Sequence, residues 1–97
     1  MIKLTLGYST MAQRVGNMVQ PPIHKDWNVA VIIQNPESMA WRGSGLAELV
    51  MRDDLEIQEL NSIGVAKSRN RAIWLAKGEY LVFSDDDVHF DVAGLEA

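Results

Sequence analysis

Asn28 to Gln34 read Asn-Val-Ala-Val-Ile-Ile-Gln, a nearly unbroken apolar run rich in β-branched side chains. No other stretch restricts the fold as much. A strand with one wet face alternates apolar and polar residues. A run without alternation suits a strand covered on both faces, as in a parallel sheet. The rest of the chain is therefore read for strands separated by helices.

Ile2, Leu4 and Leu6 alternate with Lys3 and Thr5, the pattern of a strand. Gly7, Ser9 and Thr10 break it, and Ser9 or Thr10 caps a short helix from Met11 to about Val19. Pro21-Pro22 stops that helix. Asn35-Pro36-Glu37-Ser38 is a turn. Leu46 to Met51 reads as helix, with Gly43 and Gly45 weakening its start. Leu55 to Leu60 alternates and reads as a strand. A helix is expected from about Val65 to Lys77, ended by Gly78. Tyr80 to Ser84 is a further strand, and Val92 onward is the first turn of another helix. This order predicts an α/β fold with an open, mainly parallel sheet flanked by helices. Such sheets bind ligands beyond the C-terminal ends of their strands. Gly7–Thr10, Gln34–Glu37 and Ser84–Asp87 should therefore meet at one edge.

The 97 residues make one domain. Apolar content of 47% and charged content of 23% are those of a globular chain. No window reaches the ~20 apolar residues of a membrane span, and the first residues turn polar too soon for a signal peptide. The absence of cysteine excludes disulfides and thiolate zinc sites and fits a reducing cytoplasm, the expected location. The net charge of −4 argues against a nucleic-acid partner.

The charges cluster. Lys67, Arg69, Arg71 and Lys77 precede Asp85, Asp86, Asp87 and Asp91. Cations beside carboxylates suit a phosphorylated ligand held with a divalent metal, or simply a solvated helix before an acidic loop. At 100° per residue Val65, Ala66, Ala72, Ile73 and Ala76 share one helix face, with Arg69 in its middle. A guanidinium on such a face needs a partner, either a ligand phosphate or one of the aspartates. Trp74 lies opposite, covering part of a larger core or serving a surface completed by something else. Two aspartates one residue apart after a buried strand suit magnesium or manganese, which take carboxylate oxygens and keep waters and phosphates as their other ligands. His89 is read as polar surface, or as a further ligand.

The segment Asn61-Ser-Ile-Gly-Val-Ala-Lys-Ser-Arg-Asn-Arg-Ala-Ile-Trp-Leu-Ala-Lys-Gly-Glu-Tyr-Leu-Val-Phe-Ser-Asp-Asp-Asp87 resembles the central part of family-two nucleotide-sugar glycosyltransferases of the GT-A fold. The likeness rests on Gly64, Ala66, Arg69-Asn70, the helix to Ala76, Gly78-Glu79-Tyr80, the strand Leu81–Phe83 and the D-x-D aspartates Asp85 and Asp87, in that order and spacing. It covers about a quarter of the chain closely.

The resemblance implies a nucleotide-diphosphate-sugar partner and manganese or magnesium as cofactor. Asp85 and Asp87 would address the metal, Asp85 and Asp86 the donor, and Arg69 its nucleotide end. Tyr8, Ser9 and Thr10 fall where the family's first loop contacts the base, and Gln34 where its second strand usually ends in an acidic residue. Two stretches differ from the family. The first loop reads Tyr8-Ser-Thr-Met11 where the family often has Pro-Thr-Tyr-Asn, and Gln34-Asn-Pro-Glu-Ser38 replaces an acidic residue followed by Gly-Ser. The family's acceptor half and catalytic base lie after the metal motif. The resemblance therefore puts no catalytic residue within these 97 positions and places the base beyond Ala97. The expectation is a nucleotide-binding half-domain over residues 1–97, completed elsewhere and open to homodimer formation. A non-catalytic binding or assembly module is the alternative, with a metal-dependent nucleotidyl or phosphoryl transferase as a third reading.

Overall fold

The computed structural model describes residues 2–96. Four strands, β1 (Leu4–Met11), β2 (Trp27–Gln34), β3 (Leu55–Leu60) and β4 (Tyr80–Asp85), form one sheet in the order β3-β2-β1-β4. Every pairing is parallel. Three helices accompany it: α1 (Leu46–Val50), α2 (Val65–Leu75) and α3 (Val92–Glu96). The unbroken apolar run forms β2, whose residues from Trp27 to Ile33 are all buried. The fold is thus the expected α/β type, a parallel sheet flanked by helices. No helix among the described residues is long and apolar enough to cross a membrane.

Paired residues on neighbouring strands share a face, because side chains alternate along each strand. One face carries Leu4, Leu6 and Tyr8 of β1 beside Trp27, Val29 and Val31 of β2. Val15, Met18 and Leu49 complete that core, with Leu46, Phe90, Val92 and Leu95 packed at its rim. The other face carries Thr5, Gly7 and Ser9, and α2 lies against it. A Cβ on Gly7 would sit 3.4 Å from that of Ala72 and 2.8 Å from Phe83 Cδ1. The helix therefore approaches β1 closely, and only small side chains fit between them.

That close approach corrects the expected helix face. The buried residues of α2 among those described are Ser68 and Ala72. Ala66, Arg69 and Ile73 are exposed, and the Val65 side chain lies outside the described residues. The helix is turned by about one residue from the apolar-stripe reading, because the sheet beneath it demands small groups rather than large apolar ones. Trp74 does not cover a larger core: it is 77% exposed, with the Arg71 guanidinium 5.5 Å from its ring centre.

Two further expectations change. Gly7–Thr10 does not end β1. The strand runs on to Met11, paired with β2 as far as Gln34 and with β4 as far as Asp85. In place of a helix from Met11, only a 3-10 turn forms, at Val15–Asn17. A central strand with partners on both sides gains more from its ladder than from starting a helix. At the other end of the sheet, α2 stops at Leu75 and Ala76 is already extended. Gly78 serves a different purpose there: a Cβ on it would lie 2.6 Å from the Leu4 carbonyl carbon. The backbone N–H groups of Lys77 and Gly78 both donate to Thr5 Oγ1, at 3.1 and 2.9 Å, which fixes the turn into β4.

Candidate functional site

The parallel arrangement brings the C-terminal ends of β1, β2 and β4 to one edge. Ser9 stands beside Asp85, and Met11 beside Gln34. The strand order also reverses there. From β1 the chain steps outward to β2 and β3, then returns across the sheet to β4 on the other side of β1. Open parallel sheets form a ligand crevice at such a reversal, outside the carboxyl ends of the two strands that part. Here those strands are β1 and β4, and the acidic turn ends β4.

The three aspartates have different surroundings. Asp85 and Asp87 are exposed, and neither carboxylate has a protein partner among the described residues. Asp86 is 4% exposed. Its Oδ2 accepts a 2.6 Å hydrogen bond from the Thr10 hydroxyl and a 3.1 Å bond from Arg14 Nε, while Arg14 Nη2 donates to Oδ1. Its carbonyl oxygen accepts the Val19 N–H at 2.9 Å. A buried carboxylate needs such partners, since an unpaired one would be costly to desolvate. Arg14 is in turn held in its charged form. The hydrogen bond and charge of Asp86 raise its pKa above the usual arginine value, with smaller help from Asp87 and Asp85.

Ser9 and Gln34 are brought together as expected. Gln34 Nε2 donates to Ser9 Oγ at 2.9 Å, and Ser9 Oγ lies 3.4 Å from Ser68 Oγ. Gln34 Oε1 accepts the Gly64 N–H at 2.6 Å. This chain of bonds ties the ends of β1 and β2 to the start of α2. Tyr8 and Thr10 are not loop residues. Tyr8 is fully buried, because alternation along β1 places it with Leu4 and Leu6, and its ring packs edge-on against Phe90 at 5.5 Å. No face of that ring is open to a base. Thr10, 2% exposed, is committed to Asp86. Arg69 is exposed on α2 and has no ion pair among the described residues, so the partner expected of a buried guanidinium is not required. Ala97, beyond which the catalytic base is expected, lies outside the described residues.

Arg14 is the residue the sequence reading missed. It is the single arginine or lysine between Lys3 and Lys25, and it follows a strand that ends where the acidic turn begins. That isolation is the signal that could have found it. Its exposed guanidinium lines a cleft of about 310 Å³ with Asn17, Val19, Asp86 and Asp87. Among the described residues no group of three or more acidic or histidine side chains is placed to share a metal ion. Comparison with protein-family models, curated proteins and solved structures gave no match.

Proposed function

We propose that this chain is the nucleotide-sugar-binding half-domain of a glycosyltransferase of the GT-A type, taking a nucleotide-diphosphate sugar as donor. The observation that carries the reading is the position of Asp85 and Asp87. They are two exposed carboxylates, unpaired among the described residues, at the crevice where the strand order reverses, and Asp87 shares a cleft with the exposed guanidinium of Arg14. Two carboxylates are a sufficient protein share for manganese or magnesium, which draw their remaining ligands from phosphates and water. Asp85 and Asp87 would hold the ion, and it would supply charge neutralisation for the leaving diphosphate. Asp86, bonded to Thr10 and Arg14, shapes the turn that presents its two neighbours.

Calorimetry with the common nucleoside diphosphates, in manganese and in EDTA, tests the reading. Manganese should raise the affinity for at least one of them. Asp87→Asn should lower the manganese-dependent part and leave the melting temperature nearly unchanged, since this exposed carboxylate has no hydrogen-bond or ion-pair partner among the described residues. Equal affinity in manganese and EDTA would end the metal-dependent reading.

One observation favours a binding or assembly module instead. Ile73 and Trp74 are 56% and 77% exposed on α2, apolar groups of the kind found at protein contacts. Donor binding by the purified chain separates the two, because a module that has lost the chemistry has no use for the diphosphate.

A further inference from the structure

A guanidinium has five N–H donors arranged on more than one edge. Arg14 spends one edge, Nε and Nη2, on the two oxygens of Asp86. Its side chain is nonetheless 59% exposed, whereas that of Asp86 is 5% exposed. Nη1 has no acceptor among the described residues. The same cleft is lined by Asn17, whose Oδ1 accepts the Ser44 N–H at 3.3 Å, so its orientation is set while its amide N–H groups have no protein acceptor among the described residues. The same cleft also carries the Asp87 carboxylate, unpaired among the described residues.

We propose that Arg14 binds the diphosphate of the donor directly, with Asp86 as the residue that positions it. This rests on the donor-binding reading above and adds to it a protein cation that no motif indicated. A long, flexible side chain gripped at one edge loses less freedom when its other edge meets an oxyanion, so the contact is preorganised. The arrangement also accounts for a buried aspartate at the centre of the acidic turn. Asp86 is occupied by Arg14 and Thr10 and so holds the phosphate-binding group in place, while its two neighbours remain open.

Inorganic pyrophosphate and the common nucleoside diphosphates, titrated calorimetrically in manganese against wild type, Arg14→Gln and Arg14→Lys, test this. Circular dichroism first establishes that each variant is folded. Arg14→Gln should lose about tenfold or more in affinity, the usual scale for a hydrogen bond to a charged group. Arg14→Lys keeps the positive charge but gives up the two-oxygen grip on Asp86, so it should fall between wild type and the Gln variant, losing about three- to tenfold against wild type. Equal losses in the two variants would make Arg14 a clamp for Asp86 alone and overturn the proposal, as would no loss in either. Should the Gln variant fail to fold, the Lys variant decides, unchanged affinity overturning the proposal and a loss of about threefold or more in a folded protein supporting it. If wild type binds none of the probes, the donor-binding reading itself falls, which is a different result from binding that ignores Arg14.

Discussion

Tyr8 is buried, and its hydroxyl has no hydrogen-bond partner among the described residues. Burial raises its pKa well above the usual tyrosine value, opposed in part by the charge of Arg52. An unfolded tyrosine ionises near pH ~10. With the folded value higher, the unfolded chain sheds its proton first as pH rises. The contribution is therefore complete below pH ~10 and is lost as pH climbs toward the folded value. Tyr8→Phe keeps the ring and its contact with Phe90 and removes the orphan hydroxyl. It should be neutral or stabilising by about 1 kcal/mol at pH 7, and its stability should fall less between pH 9 and 11 in urea melts. A steeper alkaline fall than wild type would contradict this. Arg69→Met is the contrasting case. The exposed guanidinium has no ion pair among the described residues, so stability should stay within about 0.5 kcal/mol, read in the same melts. The two residues also mark a limit of sequence reading. Tyr8 looks like a loop residue because Gly7, Ser9 and Thr10 surround it, and only the pairing of β1 on both sides shows that the strand continues through them.

At the scale of elements, the strands and helices were largely legible and the contacts between them were not. The alternation of Leu55–Leu60 and the apolar run of β2 fix those strands from composition along a few residues. The face that α2 presents depends on a residue sixty positions earlier, Gly7, which no local pattern reveals. Gly78 makes the same point. Local reasoning takes it for a helix-ending glycine, yet α2 has already stopped at Leu75. Its lack of a side chain matters because the chain crosses the backbone of Leu4 and Thr5 there, within 2.6–2.8 Å of where a Cβ would sit. Those neighbours are backbone atoms of a central strand and cannot step aside. Gly78→Ala should destabilise by at least about 2 kcal/mol, an overpacking cost with no flexible group to absorb it. Gly94→Ala is the control, since its nearest neighbour is the carboxylate of the exposed Asp91, at 3.1 Å. It should cost little. Comparable losses in denaturant midpoint for the two variants would refute the backbone-clash account. The candidate site follows the same division. The convergence of Ser9, Gln34 and the acidic turn was readable from strand order, whereas the grip of Arg14 on Asp86 joins residues 72 positions apart.

The whole molecule has a radius of gyration of 12.6 Å, against about 12.5 Å for a compact domain of this length. Its exposed apolar groups are therefore features of a packed body and not signs of an expanded chain. The two edge strands differ in their protection. β3 carries Glu56 and Glu59, with Glu56 paired to Lys77, and charges of this kind discourage a further strand from docking. β4 runs Tyr80-Leu-Val-Phe-Ser84 without a charge until Asp85, and among the described residues it pairs only with β1. Tyr80, 70% exposed, stands at its start. An unguarded edge with an exposed aromatic at its start favours joining to a second copy through β4, most simply about a two-fold axis. Light scattering over a dilution series should show a concentration-dependent dimer. Tyr80→Lys puts a charge at that edge and should shift the midpoint to higher protein concentration, while Met51→Lys, at an equally exposed site beside α1, should not. A monomer at every concentration would mean that the β4 edge stays unpaired despite its composition. A dimer indifferent to Tyr80→Lys would place the contact on some other surface.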